Sequence, residues 1–126
     1  MSNLHNVSNI DIICAETGRA ISHIENMEEK IVNEALAVLE EQGPYAMILY
    51  LKARHGKVFN KIEKEVKALL QEVFQNKVNN QSKALEMVSV LAEDLDDLLF
   101  TREILRNTLA YARYHLKAKK SREESL

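Results

Sequence analysis

The chain contains very few of the residues that build tight turns, with only three glycines and one proline among its 126 amino acids. A β-sandwich or β-barrel needs many short strands joined by turns, and Gly and Pro dominate such turns. The residues that are abundant instead include Ala, Leu, Glu and Lys, which are strong helix formers. The sequence therefore predicts an all-α fold with long helices and few loops, and its length fits a single domain over residues 1–126.

Hydrophobic periodicity predicts four helical segments. Their approximate ranges are 9–41, 44–55, 57–75 and 83–120. The first is expected to begin after Ser8 or Asn9, since either residue is a good N-cap. Gly43 and Pro44 separate the first segment from the second, because Gly commonly follows the end of a helix and Pro commonly opens one.

Finer features complete the predicted bundle. Gly18 weakens the first segment and is a candidate kink, and Ser82 is a plausible cap for the fourth segment. An interruption of the fourth segment near residues 100–101 would raise the number of helices, so we predict a bundle of four to five. Residues 1–8 and 121–126 are expected to form flexible tails.

The composition also limits the chemistry. A lone cysteine, Cys14, excludes an internal disulfide and a Cys-rich zinc site, and it favours a reducing, cytoplasmic location. The longest apolar stretch, residues 45–51, is far shorter than the roughly 20 residues of a membrane-spanning helix, so no membrane association is expected. The histidines show no metal-ligand spacing. No cofactor or metal is predicted.

Basic residues form two rows at helical spacing. On a wheel of about 100° per residue, each row falls within an arc of about 60°. The longer row consists of Arg102, Arg106, Arg113, Lys117 and Lys120, and the shorter of Lys57, Lys61 and Lys64. A straight row of bases suits a nucleic-acid backbone, and arginine adds bidentate contacts to phosphate, so we favour the longer row. Each row also fits the solvated face of an ordinary amphipathic helix, and that interpretation stays open.

Neither a metal site nor a nuclease motif is complete. The acidic cluster within residues 93–97 lacks the His ligands of a di-iron bundle, which favours a solvated face or a surface for a basic partner. Arg106 and Asn107 are similar to the start of the motif in helical HEPN ribonucleases. However, residues 111–113 lack the His expected there, and His115 comes too late. We therefore predict that the chain is not an enzyme.

Two stretches resemble the small helical subunit of the type III-B CRISPR effector, the Cmr complex. They are GPYAMILYLKA at residues 43–53 and TLAYARYHLKA at residues 108–118. The first is similar to that family's apolar helix that follows a Gly and ends in an aromatic residue and Lys. The second is similar to its last helix. With the length and the order of helices, the resemblance covers most of residues 10–120.

This resemblance implies a non-catalytic, RNA-binding structural subunit of an antiviral complex. Several copies would stack along the guide-RNA filament, which implies self-association. The basic rows would contact the backbones of guide and target RNA, and acidic and apolar patches would meet other subunits. The alternatives are a helical adaptor that contacts only protein and a helical ribonuclease of an unrecognised type.

Overall fold

A computed structural model describes residues 3–125, with side chains for residues 9–123. This part of the chain is all-α, as predicted, but it contains six helices rather than four or five. The helices are α1 (Asn3–Ser22), α2 (Glu29–Gln42), α3 (Pro44–Arg54), α4 (Gly56–Val73), α5 (Ala84–Leu91) and α6 (Leu95–Ser125).

The first predicted segment is two helices, because the chain turns at residues 23–28. Asn26 has a φ of 71°, in the left-handed region that asparagine tolerates better than most residues. The N–H of Met27 donates to the carbonyl of Ile24 at 3.0 Å, which closes the turn. The prediction of one continuous helix over 9–41 is therefore wrong, and so is its start, since α1 begins at Asn3.

Gly18 lies within α1 and produces no break in it. Its lack of a side chain allows α1 to pack closely against α6. A Cβ atom placed on Gly18 would lie 2.5 Å from the carbonyl oxygen of Thr108 and 2.9 Å from the backbone nitrogen of Ala112. Four residues earlier, Cys14 donates its S–H to the carbonyl of Ile104 at 3.6 Å. The partners advance in the same direction along both helices, so α1 and α6 run parallel and pack very closely.

The fourth predicted segment is broken at residues 92–94, not at 100–101. Asp94 caps the new helix, since its Oδ1 atom accepts a hydrogen bond from the N–H of Asp97 at 3.1 Å. Ser82 does not cap α5, which corrects that prediction. The N-cap residue is Lys83, whose N–H donates to the carboxylate of Glu86 at 2.8 Å.

Helices α3 and α4 confirm the predicted second and third segments to within two residues. At the chain ends, helix occupies residues 3–8 and 121–125. The flexibility of the two tails stays a prediction, and residues 1, 2 and 126 lie outside the described residues.

One core joins the six helices. Helix α1 packs on α4 and α6, α2 packs on α3 and α6, and α3 packs on α4 and α5. The largest fully buried side chains include those of Leu39, Met47, Ile48, Leu51, Leu69, Leu70, Met87, Leu91, Ile104 and Leu105. None of the described helices has the length and hydropathy needed to cross a membrane.

Candidate nucleic-acid interface

The longer basic row, on α6, faces acidic residues of α2. Arg102 donates from Nη2 to the backbone carbonyl of Glu40 at 2.6 Å, and Arg106 donates from Nε to the Glu40 carboxylate. Further along α6, Lys117 forms an ion pair with Glu29 at 2.9 Å. Three of the five predicted bases are therefore paired within the bundle.

These contacts fasten the end of α2 to α6. The Glu40 carbonyl belongs to the last turn of α2, where carbonyl groups have no partner within the helix, and the guanidinium of Arg102 satisfies it. The ammonium of Lys117 lowers the pKa of Glu29 through the hydrogen bond between them. A phosphate that approached these bases would have to compete with carboxylates already in place.

The remaining bases of the α6 row differ from each other in exposure. The side chain of Arg113 is half-buried, its guanidinium lies 5.7 Å from the ring centroid of Tyr114, and its Nε atom has no hydrogen-bond partner in the described part of the chain. Lys120 is exposed. The α6 row is therefore not the uniform, open strip of charge that its spacing predicts.

The shorter row, on α4, faces solvent. Lys57, Lys61 and Lys64 are exposed, and none of them forms an ion pair with a residue that the structure describes. Glu63, one of the two acids that adjoin Lys64 in sequence, accepts a hydrogen bond from the N–H of Ala84 at the start of α5, at 3.1 Å. Because the opposite face of α4 is buried, the three lysines form an open basic surface.

The structure does not bring the two rows together. Helix α1 packs against both α4 and α6, whereas α4 and α6 have little or no direct contact. A ligand that follows the lysines of α4 would therefore not continue along the bases of α6. The two rows are separate candidates, and α4 carries the one whose charge is unpaired.

A polar cluster that sequence reasoning missed joins α2 to the junction of α3 and α4. The Glu34 Oε1 atom accepts hydrogen bonds from Nε2 of His55 at 2.7 Å and from the hydroxyl of Tyr50 at 3.0 Å. The two bonds lower the pKa of Glu34, with the larger effect from His55, and the bond to Glu34 raises the pKa of Tyr50. Glu34 lies on a different helix from its partners, so no sequence spacing indicates the cluster.

The acidic cluster near residues 93–97 is partly explained by local structure. Asp94 caps α6, and Asp97 forms an ion pair with Lys77 at 2.8 Å. Among the described residues, no group of three or more His, Cys, Asp or Glu side chains is placed to hold a metal ion. Cys14 is buried, and burial raises the pKa of its thiol.

Comparison of the chain with protein-family profiles, curated proteins and solved structures finds no match. The resemblance to the Cmr small subunit therefore stays a prediction that depends on the two stretches in the sequence. In the structure the first stretch is Gly43 and most of α3, and the second lies within α6.

Proposed function

We propose that the chain is a non-catalytic, RNA-binding structural subunit of a cytoplasmic type III-B CRISPR effector complex. The observation that supports this most is the open α4 row, in which Lys57, Lys61 and Lys64 are exposed and without ion pairs among the described residues. The row is about 10 Å long, since seven residues of helix rise by about that distance. Evenly spaced ammonium groups of this kind contact a phosphate backbone without regard to sequence.

The α4 row, rather than the longer α6 row, is the proposed main contact for RNA. Glu29 and Glu40 already pair with three bases of α6, so a phosphate would have to displace these contacts and would bind those bases less strongly than free ones. Arg102, Arg106 and Lys117 are proposed to hold α2 in place. Their role in RNA binding is correspondingly small.

The proposed partners on the protein side are other subunits of the complex and further copies of this chain. Large apolar side chains remain exposed in pairs one helical turn apart, which suits contacts with protein. The pairs are Tyr45 with Leu49 on α3 and Leu95 with Leu99 on α6. The same side chains favour the alternative of a helical adaptor that binds only protein.

Binding of the full chain to labelled single-stranded RNA, measured by fluorescence anisotropy over a range of salt concentrations, tests the proposal. Changing Lys57, Lys61 and Lys64 together to Glu should weaken binding and reduce the salt slope by about 2, because each lost phosphate contact contributes about 0.7 on single strands. The matched control changes three exposed bases outside both rows to Glu and should leave the slope nearly unchanged. These bases are Arg19, Lys30 and Lys119.

Two results would contradict the proposal. Equal losses of RNA affinity in the two triple variants would mean that binding depends only on the net charge of the protein. The α4 row would then not be a specific RNA-binding surface. Absence of RNA binding by the unchanged protein would favour the adaptor. Gel analysis of the same mixtures covers the remaining alternative: RNA cleavage that disappears in a His55→Ala variant would identify a ribonuclease using the Glu34–His55 pair.

A further inference from the structure

A groove lined mostly by residues with polar side chains lies beyond the last lysine of the α4 row. Its volume is about 610 Å³, and its walls come from the end of α4 and from the segment that follows. The lining residues are Lys67, Ala68, Gln71, Glu72, Gln75 and Asn80. Three of these six carry side-chain amides, which is a different chemistry from that of the lysine row.

The groove continues the face of α4 on which the lysines lie. With Lys57 at 0° on a wheel of about 100° per residue, Ala68 falls near 20° and Gln71 near −40°, within about 80° of every lysine in the row. Gln71 lies about 10 Å along the axis from Lys64, because seven residues separate them. An RNA strand that passes over the lysines would therefore reach the groove without changing direction.

One residue that lines the groove has a polar atom without a partner. The Oε1 atom of Gln71 is buried and has no hydrogen-bond partner among the described residues. Buried acceptors in folded proteins almost always have a partner, so an acceptor without one is unusual. The side chain at position 68 is only a methyl group, and the Oε1 atom is closed to solvent as it stands, so a rotation of the Gln71 side chain must bring this oxygen into the groove before a ligand can contact it. The arrangement favours a ligand that brings a hydrogen-bond donor.

We propose that the groove binds an unpaired RNA base whose neighbouring phosphates contact Lys57, Lys61 and Lys64. This inference rests on the proposed RNA-binding function. Single-stranded RNA is recognised through the edges of its splayed bases, and amide side chains offer both donors and acceptors to those edges. The lysines supply affinity that is independent of sequence, and the groove supplies a preference among bases.

The acceptors in the groove determine which bases fit. Gln71 Oε1 and the carboxylate of Glu72 both accept hydrogen bonds, so they favour a base with an exocyclic amino group. Adenine, cytosine and guanine carry such a group, whereas the edge of uracil offers a single N–H donor between two carbonyl groups, which two neighbouring acceptors would oppose. The groove should therefore discriminate against uracil. Cytosine is the best comparison, since it is also a pyrimidine.

The experiment compares binding of the full chain to labelled oligocytidine and oligouridine of equal length, at one salt concentration, by fluorescence anisotropy. The unchanged protein should prefer oligocytidine by about 5-fold or more, the lower end of the discrimination from one well-placed amide contact. The double change Gln71→Ala and Gln75→Ala should abolish this preference and leave the affinity for oligouridine unchanged. Gln75→Ala alone alters an exposed side chain, so it keeps the fold and should reduce the preference.

Gln42→Ala, which removes an exposed amide from the end of α2, is the matched control and should change neither affinity. Equal binding of both oligonucleotides by the unchanged protein would overturn the groove assignment, and so would a preference that survives the double change. In both cases lysine-dependent binding would leave the proposed function intact. Failure of the unchanged protein to bind either oligonucleotide would overturn both.

Discussion

Replacing Gly18 with Ala should destabilise the protein, although the same change stabilises most helices. Ala gains about 1 kcal/mol over Gly in a helix interior. At this position, however, the new Cβ would lie 2.5 Å from the carbonyl oxygen of Thr108 and 2.7 Å from the Cβ atom of Tyr111. Those atoms belong to or adjoin the backbone of α6, so no flexible side chain can move aside.

The size of the effect follows from the movement that α6 must make. Ordinary contact begins near 3.4 Å, so the two helices must separate by almost 1 Å at their crossing point. A gap of that size loses a quarter to a half of the dispersion energy of the atoms across it, and overpacking of this kind costs about 3 kcal/mol. After subtracting the gain in helix propensity, we expect a net loss of about 2 kcal/mol. For a chain of this length that corresponds to a fall in Tm of about 6–10 °C.

Urea denaturation followed by circular dichroism measures this loss directly, and Gly56→Ala provides the matched control. Gly56 also lies in a helix, but nothing surrounds the position of its Cβ within 4 Å. The control should unfold at the same urea concentration as the unchanged protein or slightly above it. If Gly18→Ala were as stable as Gly56→Ala, the close approach of α1 and α6 described above would be wrong.

Three further predictions follow from other positions. Gly43→Ala should lower the free energy of unfolding by about 1–3 kcal/mol, measured in urea, because Gly43 has a φ of 97° that an L-residue with a Cβ adopts only under strain. Leu109 is only 4% exposed, so Leu109→Ala should lower the free energy of unfolding by about 2–5 kcal/mol in the same assay. Leu109→Asp should prevent folding, and an unchanged melt of that variant would place this residue outside the core. His55→Ala should raise the pKa of Glu34 toward its ordinary value of 4.5 in a carbon-13 NMR titration. Because the pKa of Glu34 is lowered in the folded protein, Glu34 stabilises the fold above pH 4.5, and this stabilisation is lost as the pH falls through the lowered pKa. A Glu34→Gln variant should lack this pH dependence of stability.

The sequence predicts helices well where the signal is local. Gly43 and Pro44 mark the boundary between α2 and α3 by their own backbone preferences, and the apolar face of α4 is regular over its whole length. The turn near Asn26 carries neither Gly nor Pro, so the periodicity on each side hides it. At the start of α6 the sequence predicts an acidic surface that includes Asp94 and Asp97, whereas Asp94 caps the helix in the structure.

The candidate site was less accessible to sequence reasoning, for a tertiary reason. The wheel places Arg102 and Arg106 on one face of α6, but only the packing of α2 shows that Glu40 covers that face. Likewise, the groove that Gln71 lines forms only where α4 lies beside the segment that follows it. Spacing along one helix predicts which residues share a face, and it cannot predict which other element lies against that face.

The parallel packing of α1 and α6 affects how the chain folds as it is synthesised. Cys14 and its partner Ile104 are 90 residues apart, so a ribosome that adds about 5–20 residues per second needs roughly 5–20 s to supply the second after the first. During that interval α1 can pack against α4, but the face of α1 that carries Gly18 remains uncovered because α6 has not yet been synthesised. Glu29 and Glu40 of α2 also lack their ion-pair partners until the bases of α6 have been synthesised. A nascent chain stalled before residue 100 should therefore hold α3, α4 and α5 together while α1 and α2 remain only partly packed.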